Sequence, residues 1–295
     1  MTTAGFDFGK TLTKTVWKKD NEYIYTSTAD ISLDDLLKKA KDDKITTVHA
    51  VGVGYNDVRE KLQDFIIKQK EGNSVDVERR LQAQGVKEYL STENPLLEKF
   101  LVVSVGTGTS YTFMNGNQID FFPIGNPIGG GTLYGRFQLP LEFTTKNFSD
   151  EKKYGKEELG RDIASRFKFA AELAEQGTPQ DILLEEAMPE YKGTVFGKKL
   201  ILSNGAKLKR FSSLQDIYAT DVHEIATTIL RDFWMMSFMP QYIPPKDIIF
   251  VGTTIARLPA LRKMLEDGQE LLSKNFHFPK KAEYMLALGA YHATF

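Results

Sequence analysis

What most constrains this chain is a pattern that occurs twice in its first half. Residues 4–8 and 12–17 read as strands joined by a turn containing Gly9-Lys10-Thr11, and after Lys19-Asp20-Asn21 a third strand runs over 22–27. Residues 100–105 and 110–114 are again strands, joined by Gly106-Thr107-Gly108-Thr109. Asn115-Gly116-Asn117, a hairpin turn of the strong Asn-Gly kind, then leads into a third strand over 118–122. Laying Asp7-Phe8-Gly9 over Ser104-Val105-Gly106 places Thr13 over Ser110 and Thr15 over Thr112. Few residues are identical, but the element order is shared, and order is the stronger mark of a repeat. Two such units predict two sheets, with their glycine turns facing each other across a cleft.

The segments between and after the repeats complete an α/β pattern. A helix is expected over 33–40 with Ser32 as its N-cap, a buried strand over 45–51, and helices over 57–70 and 77–90. The helix over 57–70 rests on Val58, Leu62, Phe65 and Ile66. The second half reads as mainly helical, over 150–177, 181–188 and, most clearly, 221–239. In that last helix Val222, Ile225, Ile229, Phe233 and Met236 share a face, and Pro240, Pro244 and Pro245 end it. The run from Phe233 to Met239 reads as a core stripe, with a subunit contact as the other reading. A strand over 248–251 and helices over 256–266 and 280–292 follow. The charged stretch 150–156 reads as a solvated helix start or loop. This organisation predicts an N-terminal domain over 1–95 and a C-terminal domain over 96–295 carrying a helical insertion.

Composition narrows the chemistry. Lys and Arg number 38 against 39 Asp and Glu, so there is no basic surplus for nucleic acid. The absence of cysteine excludes disulfides, a thiol nucleophile and a cysteine-ligated metal. No apolar run is long enough to span a bilayer, and the start MTTAGFDFGK lacks the basic and apolar regions of a signal peptide. The expectation is a soluble cytoplasmic protein without a nucleic-acid or membrane partner. His223-Glu224 does not extend to HExxH, because residue 227 is Thr, and the four histidines share no spacing.

Tight turns of glycine and threonine expose backbone N–H groups and hydroxyls that suit phosphate oxygens, the more so at a helix N-terminus. Besides the two repeated turns there is a third candidate, Gly129-Gly130-Gly131-Thr132, which opens a predicted helix. Asp7, beside the first turn, is placed to hold Mg²⁺ through water. No GxxxxGK[ST] motif is present. One Gly-Thr-Gly-Thr turn alone is a plain hairpin; two matching units with facing turns are what a nucleotide triphosphate between related domains requires.

These motifs resemble those of type II pantothenate kinases. The turn DFGKTLTK is similar to that family's opening DxGGTLxK, SVGTGTS to its second phosphate turn, and IGGGTLYG to its GGG helix start. Glu78, seven residues before Gly85 in ERRLQAQG, stands where the family has its catalytic Glu. FVGTT followed by LRK resembles the adenosine-side strand and helix, and Leu288-Gly289-Ala290 the small-residue C-terminal helix. The resemblance implies two actin-like, ribonuclease H-like βββαβα domains with ATP and Mg²⁺ in the cleft between them. It implies transfer of the γ-phosphoryl group to the primary hydroxyl of pantothenate, the first step towards coenzyme A, by a homodimer. Carried over by position, Asp7 would organise Mg²⁺ and the phosphates, and Glu78 would accept the hydroxyl proton. Gly9, Lys10, Thr11 and Lys14 would form the first phosphate turn, and Thr107 and Gly108 the second. Gly130, Gly131 and Thr132 would lie along the nucleotide, with Gly252 and Thr253 near the adenosine.

The sequence departs from the family at three places. The family carries an Arg seven residues before GGG, where this chain has Phe122, and residues 117–128 contain no Lys or Arg at all. Phenylalanine cannot make the forked contact an Arg offers a carboxylate. Lys10 stands where the family has Gly, and Val51-Gly52-Val53-Gly54-Tyr55 replaces its usual TGG-type turn. Arg79 or Arg80, beside Glu78, is a candidate substitute for the absent Arg. A kinase with another acceptor, a sugar kinase, and an actin-like nucleotide-binding protein without kinase chemistry share the expected fold and remain open.

Overall fold

The structure, a computed structural model, describes residues 2–70, 72, 74–123, 125–133, 165, 168–209 and 212–294. The first three strands are β1 (Thr2–Phe8), β2 (Thr13–Lys19) and β3 (Glu22–Ser27), a continuous antiparallel meander. Asp20 and Asn21 turn β2 into β3 with positive φ angles of 49° and 67°, the conformation Asx residues tolerate best. Helix α1 (Leu33–Asp42) is capped by the Ser32 hydroxyl, which accepts from the Asp35 N–H. Asp34 and Asp35 lie in its first turn and Lys39 and Lys41 in its last, as the helix dipole favours. β4 (Ile45–Val51) then pairs with β1 in parallel, and β5 (Ile66–Lys68) pairs with β4. The sheet order is β3-β2-β1-β4-β5.

After α2 (Ser74–Glu93) the same construction is repeated. β6 (Lys99–Val105), β7 (Thr109–Asn115) and β8 (Gln118–Phe121) form the meander, and β11 (Asp247–Val251) and β12 (Asn275–His277) add in parallel. The order β8-β7-β6-β11-β12 has the topology of the first sheet, strand for strand. The predicted repeat is therefore real, but its register needs one correction. Phe8 pairs with Thr13 across four intervening residues, whereas Val105 pairs with Thr109 across three. Beyond the turn, Thr13 corresponds to Thr109 and Lys14 to Ser110. The ungapped superposition was one residue out, which in a strand exchanges the two faces.

The central strands are buried on both sides and alternate between two cores. Leu101 and Val103, with Ile248 and Phe250, face one helical layer, while Phe100 and Val102, with Ile249 and Val251, face another. The outer layer of the second sheet is α5 (Leu214–Ser237) and α7 (Pro259–Leu272); α1 covers the first sheet. Between the sheets lie α2 and α8 (Met285–His292), which cross so closely that both need glycine. A Cβ at Gly289 would lie 1.7 Å from the Leu81 carbonyl oxygen, and one at Gly85 would lie 1.9 Å from that of Met285. The two sheets, and hence their turns, are held together by this crossing.

Several predicted elements differ from those observed. Residues 57–70 form no α-helix: 3₁₀ turns at Tyr55–Asp57 and Arg59–Leu62 bury Val58 and Leu62, and the β-branched Ile66-Ile67 pair joins the sheet as β5. Pairing along β4 overrides the helical spacing. Ile182–Leu183 is strand β9, paired with β10 (Ile201–Ser203), and only Leu184–Ala187 (α3) is helical. Helix α4 (Val195–Lys199) lies between these strands. The helix expected over 256–266 is two: α6 (Thr253–Arg257) ends at Leu258, which Pro259 forces out of the helical region. α5 begins at Leu214, seven residues earlier than expected, under a Ser213 cap. The stripe on α5 is only half core, since Phe233 and Met236 are buried while Trp234, Met235 and Phe238 are exposed. β12 was not foreseen, and residues 282–284 form a 3₁₀ turn before α8. Of the helix expected over 150–177, residues 168–176 are helical; the stretch 150–156 lies outside the described residues.

Candidate active site

The alternation of β1 fixes the first part of the site. Ala4, Phe6 and Phe8 enter the core under α1, so Gly5 and Asp7 face the central helices. Gly5 has no room for a side chain there: its Cβ would stand 2.0 Å from the Ala287 carbonyl oxygen of α8. Asp7, two residues on, lies directly across from Lys14 of β2, and the Lys14 Nζ is 3.1 Å from its Oδ2. Both residues are buried, at 5% and 9% exposure. The second turn of α2 brings Glu78 to the same place. Burial, followed by the negative charge of Asp7, pushes the Glu78 carboxyl up to about 7, while Lys14 pulls it partly back. Its Oε1 is buried without a hydrogen-bond partner. Asp7 and Lys14, from the opening motif, and Glu78, from a second one, thus converge. A carboxylate with an open acceptor and a pKa near neutrality has the properties of a general base.

The two glycine turns stand at equivalent ends of the two sheets. Among the described residues, the backbone N–H groups of Gly9, Lys10 and Thr11 donate to no other protein group, nor do those of Thr107 and Gly108. Lys10 and Thr107 are exposed. Each turn is backed by a glycine ending the neighbouring strand. Gly52 has φ +102° and a Cβ there would lie 2.5 Å from the Phe8 carbonyl oxygen; Gly252 has φ +104° and meets the Val105 carbonyl oxygen at the same 2.5 Å. Phe8 and Val105 are themselves equivalent, so the strained glycine is part of the repeat. Val51-Gly52 and Val251-Gly252 carry this signal in the sequence.

The GGG segment has a different relation to the second turn from the one expected of a phosphate loop. The Gly130 N–H donates to the Gly106 carbonyl at 2.7 Å and the Gly131 N–H to that of Thr107 at 3.0 Å. The Thr132 hydroxyl donates to the Pro127 carbonyl. A Cβ at Gly129 would strike Gly108, and one at Gly131 would strike Thr107. These residues clamp the turn, leaving its own donors open. Thr253 is the first residue of α6, directly after Gly252. Its neighbour Thr254, not singled out from the sequence, donates its hydroxyl to Gly106 O at 3.2 Å. A second unforeseen tie runs to α5. Asp232 accepts from the Tyr111 hydroxyl at 2.5 Å and from the Asn126 amide at 3.0 Å, and Asn126 pairs its backbone with Thr109.

Phe122 does not line the site. It is 8% exposed and packs edge-on against Tyr111 and Tyr242, with centroids 6.1 and 5.0 Å away. Arg79 is also committed: its Nη2 donates to the carbonyls of Tyr111 and Phe122, and its guanidinium lies 4.4 Å from the Phe121 ring centroid. It ties the start of α2, and therefore Glu78, to the second sheet. Arg80 is exposed, lies 5.0 Å from the same ring, and has no ion-pair partner among the described residues.

Among the described residues no three His, Cys, Asp or Glu side chains cluster as a metal cage. Beside the first turn Asp7 offers a single carboxylate, which suits a cation that keeps most of its water. No helix among the described residues is long and apolar enough to cross a membrane.

No family model matches the chain. It is 20% identical over 292 residues to a type II pantothenate kinase from Staphylococcus epidermidis, a match covering 97% of this chain and 98% of that protein. Its fold is similar to that of (R)-2-hydroxyglutaryl-CoA dehydratase component A from Acidaminococcus fermentans, with a TM-score of 0.57 and 18% identity over 99% of this chain and 96% of that one. It is also similar to the activator of 2-hydroxyisocaproyl-CoA dehydratase from Clostridium difficile with bound ADPNP, with a TM-score of 0.52 and 16% identity over 99% and 93% of the two chains. The chain has the actin-like fold of two related α/β units.

Proposed function

We propose that the protein is an ATP-dependent phosphotransferase, moving the γ-phosphoryl group to a hydroxyl of a small molecule, with pantothenate as the acceptor. The observation that carries this reading is the convergence of Glu78 on Asp7 and Lys14 beside a turn with open N–H donors. Phosphoryl transfer needs positioning and charge neutralisation more than covalent help. The turns at Gly9–Thr11 and Thr107–Gly108 hold phosphate oxygens, and Lys14 and Lys10 contribute positive charge beside them. Asp7 is the residue that would hold Mg²⁺ through water, and the ion's part is to neutralise phosphate charge. Glu78, ionised, accepts the proton of the attacking hydroxyl. The tie from Arg79 to the second sheet keeps that carboxylate in place. Arg80 is the cation beside Glu78 left open to an acceptor carboxylate, in the role the family gives to an Arg at the place of Phe122.

A second acceptor class follows from Phe122 itself. With that position buried in the core, an acceptor without a carboxylate, such as pantetheine, loses nothing this chain offers except Arg80. ADP release with Mg·ATP, measured with pantothenate, with pantetheine and with neither, separates the readings. Pantothenate-dependent release abolished by Glu78→Ala supports the proposal. Release with pantetheine alone moves the acceptor away from acids. No acceptor-dependent release with either compound, while ATP binds, overturns the kinase reading in favour of a nucleotide-binding role.

A further inference from the structure

A cavity of about 450 Å³ lies on the far side of α5 from the central strands, between α4, β10 and α7. Its walls are Phe196, Leu200, Ile201, Leu230, Trp234 and Leu271, with a few polar side chains among them. That volume is in the range of small-molecule sites, and it takes no part in the phosphate chemistry proposed above.

The polar groups on its walls are not equivalent. Thr227 and Thr228 turn their hydroxyls back onto the helix, donating to the carbonyls of His223 and Glu224, so they present methyl groups to the cavity. Lys199 is pinned to Glu270 at 2.9 Å and to the Asp267 carbonyl. Arg231 remains. Among the described residues its guanidinium has neither a hydrogen bond nor an ion pair, and the carboxylate next to it in sequence, Asp232, is taken by Tyr111 and Asn126. A hydrocarbon-lined cavity with one unpaired fork of donors fits a chain that is apolar along its length and anionic at its end. We infer that this cavity binds an aliphatic carboxylate, its chain between α4, α5 and α7 and its carboxylate on Arg231.

The chain supplies its own reporter. It has two tryptophans; Trp17 is wholly buried in the core of the first sheet, whereas Trp234 lines the cavity and is 50% exposed. Decanoate, decanol and decylamine are titrated below their aggregation range against the full chain, following Trp emission and the heat of binding. Decanoate is expected to give a saturable blue shift, absent in Trp234→Leu, with the negative heat-capacity change of apolar burial. Decanol binds more weakly and decylamine not at all. Arg231→Met, which keeps the side-chain length without the charge, weakens decanoate roughly tenfold or more, the usual worth of a charged hydrogen bond. A Thr227→Phe variant, filling the cavity from an incompletely buried position, abolishes the shift while its thermal transition stays cooperative. The inference is overturned if decanoate gives no saturable signal, if decylamine binds as well, or if Arg231→Met binds decanoate like the wild type. An emission shift that follows protein concentration and sedimenting mass instead of decanoate would also overturn it, assigning the cavity to a second copy of the chain.

Discussion

Glu78→Gln is expected to make the protein more stable and less active at once. The Glu78 carboxyl is held up to about 7 in the folded protein against an ordinary 4.5. Between those values the native state keeps a proton that the unfolded chain has released. Stability contributed by the protonated carboxyl is therefore present below the ordinary value, falls as pH rises through this window, and stays low above it. At about 1.4 kcal/mol per pH unit the whole window would amount to ~3 kcal/mol, but Glu78 is only partly buried, and solvent screening reduces this to roughly 1–2 kcal/mol. At about 2–4 °C per kcal/mol for a chain of this size, Gln should raise Tm by several degrees at about pH 8. Below about pH 4.5 the difference should vanish, because a neutral Glu and a Gln are then nearly equivalent. Acceptor-dependent turnover should fall by about 10²–10⁴-fold, the usual contribution of a general base. Thermal unfolding of both proteins across this pH range, beside ADP release, is the assay. A wild type at least as stable as the Gln variant at the alkaline end would refute the reasoning, since it would mean the carboxylate is not held at a cost.

Asp7→Asn removes the charge that helps to raise the Glu78 pKa, so the limb of the pH–rate profile should move to lower pH in whatever activity remains; Lys14→Met should move it higher. A profile that shifts the same way in both variants would contradict the electrostatic account. Phe122→Arg, which restores the residue type the pantothenate kinases carry, should not improve acceptor binding. It places a charge among Tyr111 and Tyr242 and should cost about 3 kcal/mol or more, visible as a large fall in the urea midpoint. Gly289→Ala puts a methyl group 1.7 Å from the Leu81 carbonyl oxygen, and overpacking of about 1–3 kcal/mol or more should lower Tm even though Ala favours helix.

The sequence carried the repeat and the pairing of Asp7 with Lys14 because both depend on local rules, whereas Glu78, seventy-one residues from Asp7, was reached only through the family resemblance. Strand alternation puts Asp7 opposite the Phe6 and Phe8 face, and a short turn puts Lys14 across from it. The strand at 66–68 and the short pair β9 and β10 were not legible, since their pairing is set by distant partners instead of their own periodicity. The break at Leu258 is legible in the sequence, because Pro259 signals it, although the apolar spacing runs on across it. GGG was legible as a close backbone approach, but no single-chain reading tells whether the approach is to a phosphate or, as here, to Gly106 and Thr107. Phe122 aligned with a family Arg only by counting; burial, which counting does not contain, places it in the core. The apolar walls around Arg231 come from four elements and had no signature in any one of them.

The crossing of Gly85 and Gly289 has a consequence for how the molecule comes to exist. During synthesis β1 and α2 leave the ribosome with a strip of backbone around Gly5 and Gly85 that only α8 fits, and α8 is nearly two hundred residues further on. The amino-terminal half must wait for the last helix before its interior is sealed. Contacts at such separation slow folding and lengthen the interval in which apolar surface stands open to chaperones or to aggregation. Loss of residues 285–292 by proteolysis or a premature stop should therefore unravel the beginning of the chain, and the first half expressed alone should not yield an autonomous domain.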